Sequence, residues 1–159
     1  EKPWTLKETE KYLYQINSRS KGVPVYVTVD VGHQAGQGYG MKGKDASYIE
    51  WLKQYAAVSE IIHLQQTTPN ASHHWPFTEE FNKKGHIDIA ECLDAIAWSH
   101  KNYHKSALAK VLKPVSMNCL VLEIIPSSTK DEKTLLKELK TSAKYMRKFI
   151  PESGLILEV

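Results

Sequence analysis

Apolar positions change their period several times along the chain, and each change marks an element. In residues 5–17 they fall at Leu6, Leu13 and Ile16, a helical spacing, and Thr5 with Glu8 forms the capping-box signature of a helix start. The run VPVYVTVDVGH is apolar at neighbouring positions, rich in β-branched residues and bounded by Gly22 and Pro24. That is the pattern of a strand buried on both faces, which places a strand at 24–31. Gly32, Gly36, Gly38, Gly40 and Gly43 then make a loop, and Ile49, Leu52 and Tyr55 define a helix over 46–57, followed by a strand at 60–65. The polar stretch TTPNASHHWPFTEEFNKKGH reads as a long loop. A helix over 88–99 turns Ile89, Cys92, Leu93, Ile96 and Ala97 inward, and an extra helical turn lies between 106 and 112. NCLVLEII at 118–125 is a third buried strand. Leu135, Leu136, Leu139, Ala143, Met146, Phe149 and Ile150 form the inner face of a last helix over 130–148.

The order is one helix and then three βα units. Strands alternating with helices imply a parallel sheet with right-handed crossovers, and such a sheet needs cover on both faces. Two architectures satisfy this: a small open α/β sheet, or the C-terminal part of a (β/α)8 TIM barrel, which takes about 250 residues when whole. The helix-first start and the lack of an initiator Met favour the second. The expectation is therefore an α/β fold of parallel βα units, a partial barrel across residues 1–159 whose N-terminal strands are absent.

Composition narrows the class without choosing a function. A chain of 159 residues, 42% hydrophobic and 25% charged, fits one globular domain. No stretch approaches the ~18 apolar residues of a membrane span, and EKPWT at the N-terminus has neither part of a secretory signal. No membrane partner is expected. Cys92 and Cys119 lie in apolar stretches without CxxC or Cys/His spacing, which predicts buried free thiols, a reducing compartment and a cytoplasmic location. The net charge of +3 comes largely from 130–148, where Lys and Arg outnumber Asp131, Glu132 and Glu138 on the polar face of the last helix. With no interleaved aromatics or groove-reading motif, that face reads as solvated, and no nucleic-acid partner is expected.

The chemistry gathers at the strand ends. Asp30 closes the first strand, His63 the second and Glu123 the third, on the edge where α/β folds build active sites. Any one alone has an ordinary structural explanation: a turn cap, a bonded core histidine, a paired carboxylate. Two carboxylates and an imidazole on one rim cost several kcal/mol to bury unless a cation or partner compensates. A mixed nitrogen and oxygen set suits a divalent metal, and Mn, Co, Mg and Zn all qualify.

VDVGH, IIHLQQT, HHWPFT and LVLEIIP together resemble the last three strands of the xylose-isomerase-like sugar isomerases and epimerases. That barrel superfamily also includes ketose 3-epimerases and an apurinic endonuclease. HLQQT followed by HHWPFT is similar to a subgroup acting on short ketose phosphates such as erythrulose phosphate. The resemblance implies that Asp30, His63 and Glu123 are metal ligands, that Glu123 also carries the proton, and that His33 hydrogen-bonds the substrate. The family's first glutamate ligand would precede the opening helix and has no counterpart in this chain. What is implied is an isomerase or epimerase acting on a small sugar or sugar phosphate through an enediolate, as an incomplete and by itself inactive portion.

Other residues stay open at this level. His73, His74 and Trp75 fit either a lid reaching the substrate or a surface loop stapled by Trp75 and Phe77. Of Gln65 and Gln66, alternation sends one toward the site and the other away, and Gln65 is taken as substrate-binding with His73 and His74. The glycines from Gly32 to Gly43 lack the dinucleotide fingerprint. The resemblance also admits a phosphodiesterase of the endonuclease type, but its Asp-x-His pair is here Ser72, His73, His74 and lacks the acid. A noncatalytic module is the third reading. Three parallel strands with open edges predict a homo-oligomer.

Overall fold

The computed structural model describes residues 5–35 and 40–157; Gly36 and Gly38 of the glycine loop lie outside these. Helix α1 (Leu6–Arg19) starts where expected, with the Thr5 side chain accepting from the Glu8 N–H. It buries Leu13, whereas Ile16, expected on the same inner face, is exposed. The helix therefore meets the body of the protein along a stripe narrower than its sequence pattern.

Three strands form one parallel sheet in the order β1 (Val29–Asp30), β2 (Ile61–Leu64), β3 (Cys119–Leu122). Strand β1 is shorter than the apolar run that encodes it. Upstream of it the backbone N–H of Val25 goes to the Asn17 side chain and that of Val27 to Val58, so extended chain continues outside the ladder. The loop expected after it opens as a short helix, α2 (Val31–Ala35), because the Asp30 carboxylate accepts from the N–H groups of Gly32 and His33 and caps the turn.

Ser47 caps α3 (Tyr48–Tyr55), which buries Tyr48, Trp51, Leu52 and Tyr55 and continues into a 3-10 turn over Ala56–Val58. Asp88 caps α5 (Ile89–Asn102), and the expected helical turn beyond it is a 3-10 turn at Ala107–Lys110 capped by Ser106. Between β2 and α5, the stretch assigned to loop contains α4 (Glu79–Lys84). Thr78 caps it, and Lys83 and Lys84 pair with Glu79 and Glu80 one turn back. Helix α6 (Glu132–Met146), capped by Asp131, closes the described chain.

The core lies on one side of the sheet. Val29, Ile62 and Leu64 are buried beneath α3 and α5, with Leu52, Tyr55, Ile89 and Ile96 filling the layer. Two expectations fail on the other side. Strand β3 is not buried on both faces: Val121 is 38% exposed, and Ile61, on the same face of β2 opposite Cys119, is 43% exposed. Cys92 is buried but Cys119 is exposed, because it lies on the outermost strand with no described layer over it. Helix α6 likewise buries Ser142 and Met146 but leaves Leu136, Leu139 and Ala143 exposed.

Candidate metal and substrate site

The sheet register puts the chemistry on the uncovered face. Asp30 aligns with His63, and His63 with Val121. Aligned residues point to the same side and every second residue along a strand returns to it, so Glu123 joins this face. The Glu123 N–H continues the ladder by donating to the Leu64 carbonyl, which fixes where its side chain leaves the sheet.

The three side chains converge. His63 Nδ1 lies 3.8 Å from Asp30 Oδ2 and 3.5 Å from Glu123 Oε2. One ligand atom from each of Asp30, His63 and Glu123 falls within 4.8 Å of the others, and so do ligand atoms of His33, His74 and Glu123. Glu123 Oε2 belongs to both neighbourhoods, since His74 Nδ1 is also 3.5 Å from it. Both Glu123 Oε2 and His74 Nδ1 are buried and make no hydrogen bond. The Glu123 carboxyl is held above its usual range, first by a hydrogen bond with the Asp30 side chain, then by burial and by Asp30's like charge; His63 and His74 pull the other way. A donor set of two carboxylates and an imidazole around orphaned polar atoms fits a divalent metal, and Asp30, His63 and Glu123 are the residues that can hold it.

Gln65 ties the strand ends to the loop beyond. Its side chain is fully buried, its Nε2 donates to Asp30, and its Oε1 accepts from the Ser72 hydroxyl and the His74 backbone N–H. Gln66 points the other way and bonds Asn82 and the Ile87 carbonyl, as strand alternation requires. Gly32 exists for this packing: a Cβ there would lie 2.1 Å from the Gln65 side chain.

The structure separates the two loop histidines. His74 adopts a positive φ of 53°, with its carbonyl taking the Ile125 N–H, and reaches the carboxylate cluster. His73 instead stacks flat on Trp75 at 4.0 Å and bonds Thr68 through Nε2. It enters neither ligand group among the described residues. Trp75 pairs with Gln66 through an antiparallel bridge and Phe77 is fully buried, so the loop is stapled while still delivering His74. His33 Nε2 lies 3.9 Å from Asp30 Oδ2, and its ring meets that of His74 edge to face at 5.2 Å. Ser72 joins this network without a motif to mark it; its place two residues before His74 is the signal that the sequence carries.

No protein-family model matches the chain. Over 93 residues it is 29% identical to a D-erythrulose 1-phosphate 3-epimerase of Brucella abortus, a match covering 58% of this chain and 29% of that protein. The fold matches the crystal structure of a candidate xylose isomerase from Rhodospirillum rubrum with a TM-score of 0.63 and 17% identity, covering 94% of this chain and 43% of that one. The chain therefore spans less than half the length of these proteins. In sequence and in fold it resembles the xylose-isomerase-like superfamily of sugar isomerases and epimerases.

Proposed function

We propose that this chain supplies the metal-binding and proton-carrying strands of an isomerase or epimerase acting on a short ketose or ketose phosphate. The observation that carries the reading is the convergence of Asp30, His63 and Glu123 on one rim, with a buried Glu123 oxygen that has no hydrogen-bond partner. The match to an erythrulose-phosphate epimerase points to the substrate class.

Removing the proton beside a ketose carbonyl leaves an enediolate, whose charge must be stabilised near neutral pH. A divalent ion held by Asp30, His63 and Glu123 would supply that stabilisation as a Lewis acid. Glu123 takes or returns the proton, and its raised pKa suits a group that must hold a proton for part of the cycle. Gln65 fixes the Asp30 carboxylate through its amide, leaving the second carboxylate oxygen turned toward His63. His33 and His74, edge to face beside Glu123, donate to substrate oxygens. Moving a proton on either face of a carbon takes two groups, and among the described residues the site offers Glu123 for one of them. The second carrier and a further ligand come from other strands.

The test follows exchange of substrate hydrogen with deuterated solvent, with Mn or Co, on tetruloses and pentuloses with and without phosphate. It compares the chain alone with the chain joined to the part of the Brucella abortus protein that lies outside the matched region. The joined protein is expected to exchange, and the chain alone to do so ~10² to 10⁴ times more slowly, the usual cost of a missing acid–base group. Full activity in the short chain would overturn the account, and exchange in the joined protein that survives Glu123→Gln would remove Glu123 from its role.

A further inference from the structure

We infer that Gln65 is a positioning residue that makes the placement of the His74 loop depend on the Asp30 carboxylate. The inference rests on the proposed function only in taking Asp30 as a ligand of the metal. Its own basis is the network of hydrogen bonds around one buried amide.

Gln65, Gln66 and Thr67 follow β2 directly, and all three are buried. Polar side chains buried in this way must find partners inside the protein, and each of these meets a different neighbour. Gln66 takes the Ile87 N–H and donates to Asn82, and Thr67 accepts the His73 N–H. Gln65 lies between the loop and Asp30. A backbone N–H can only donate, so the end of the Gln65 amide that meets the His74 N–H at 2.8 Å and the Ser72 hydroxyl at 2.9 Å is the oxygen. The nitrogen then faces Asp30, 3.0 Å from Oδ1 and 3.3 Å from Oδ2. With both lone pairs of the oxygen filled and no exposed surface, Gln65 acts on the site through its neighbours and not by touching substrate.

The amide cannot turn without losing bonds at both ends. A turned amide would set its nitrogen against the His74 N–H and its oxygen against a carboxylate, a buried mismatch on each side. Gly32 closes over it so tightly that a Cβ there would lie 2.1 Å from the Gln65 side chain. At the far end His74 holds a φ of 53°, with its N–H on Gln65 and its carbonyl on the Ile125 N–H. Such a backbone angle persists only where the surroundings fix it, and Gln65 supplies one of these two bonds. Asp30, the amide and the loop are thereby linked: what fixes the carboxylate fixes His74, and by reciprocity a displaced loop weakens metal binding.

The experiment follows hydrogen–deuterium exchange at the His74 backbone amide of the 159-residue chain, metal-free and with saturating Mn(II), with Mn(II) affinity measured alongside. In wild type the metal is expected to slow this exchange at least ~5-fold, the lower end of the usual coupling between two sites. Gln65→Met keeps the length of the side chain and removes both ends of the network. It is expected to bind Mn(II) ~10 to 100-fold more weakly and, once saturated, to show no effect of the metal on His74. A purely structural role would instead raise exchange in both states and leave the effect of the metal in place. Asp30→Asn, read without metal, turns a donor toward the amide nitrogen and is expected to speed His74 exchange ~2 to 10-fold. Exchange at His74 that ignores Mn(II) in saturated wild type, or a wild-type response retained in Gln65→Met, would overturn the inference and leave the metal centre standing. If Gln65→Met does not fold, Asp30→Asn decides, and exchange equal to wild type overturns the inference. A wild-type chain that binds no Mn(II) removes the metal centre from the proposed function, and metal-free Asp30→Asn then decides the link to His74 by itself.

Discussion

At the scale of single residues, the site is a set of polar groups held in place by other polar groups. Asp30 serves twice: its Oδ1 caps α2 through the N–H groups of Gly32 and His33, and its Oδ2 faces His63. Strand-end position and residue type made Asp30, His63 and Glu123 legible in the sequence. The relay through Gln65 and Ser72 was not, because it depends on which rotamers close a loop, information that spacing does not carry. Glu123 also predicts a pH response. Its folded pKa is raised, so the folded chain keeps this proton to higher pH than the unfolded chain does. The associated stability is full below the ordinary value of 4.5 and is lost as pH rises through the folded value. In chelator, the denaturant midpoint of the metal-free protein is expected to fall over that rise, and Glu123→Gln to remove this component. Indistinguishable pH profiles for the two proteins would contradict it.

At the scale of elements, helices with caps and long periodic faces were readable, and those whose existence depends on neighbours were not. Thr5, Ser47, Asp88 and Asp131 each cap a helix that apolar periodicity had located. Helix α4 escaped because it has one and a half turns and no buried residue, although Thr78 and the Glu-to-Lys pairs signalled it. Helix α6 shows the reverse: its face is apolar along its length, but contact begins only near Ser142. There the Phe77 N–H donates to Ser142 Oγ at 2.9 Å, joining α6 to the loop that delivers His74. Ser142→Ala leaves that buried N–H without a partner and is expected to cost ~1 to 3 kcal/mol, read as a drop in denaturant midpoint at unchanged slope. A change within error would place α6 outside the cooperative unit.

At the scale of the whole molecule, the described residues cover the sheet on one side only. Ile61, Cys119 and Val121 share the exposed face with His63 and Glu123, and Leu136 and Leu139 add apolar surface on α6. The expectation of a strand buried on both faces holds for β1, where Val29 and Asp30 are both buried, and fails for β3, because apolar composition records that a face is meant to be covered without saying by what. In the Rhodospirillum rubrum structure the matched region is 43% of the chain. For this chain alone we expect association through the bare face. Sedimentation should show a dimer or larger species that Val121→Lys shifts toward monomer, and a monomer at all concentrations would contradict this.

Across all three scales, the proposed function requires Asp30, His63 and Glu123 to act together on one ion. The most direct measurement is Mn(II) binding followed by the electron paramagnetic resonance of the free ion, on wild type and on Asp30→Asn, His63→Ala and Glu123→Gln, with Glu152→Gln as an exposed control. Each of the three variants should weaken binding by at least the ~10 to 100-fold typical of losing an outer-shell partner, and the control should match wild type. Wild-type affinity in any of the three, with the fold intact by circular dichroism, would contradict the central claim.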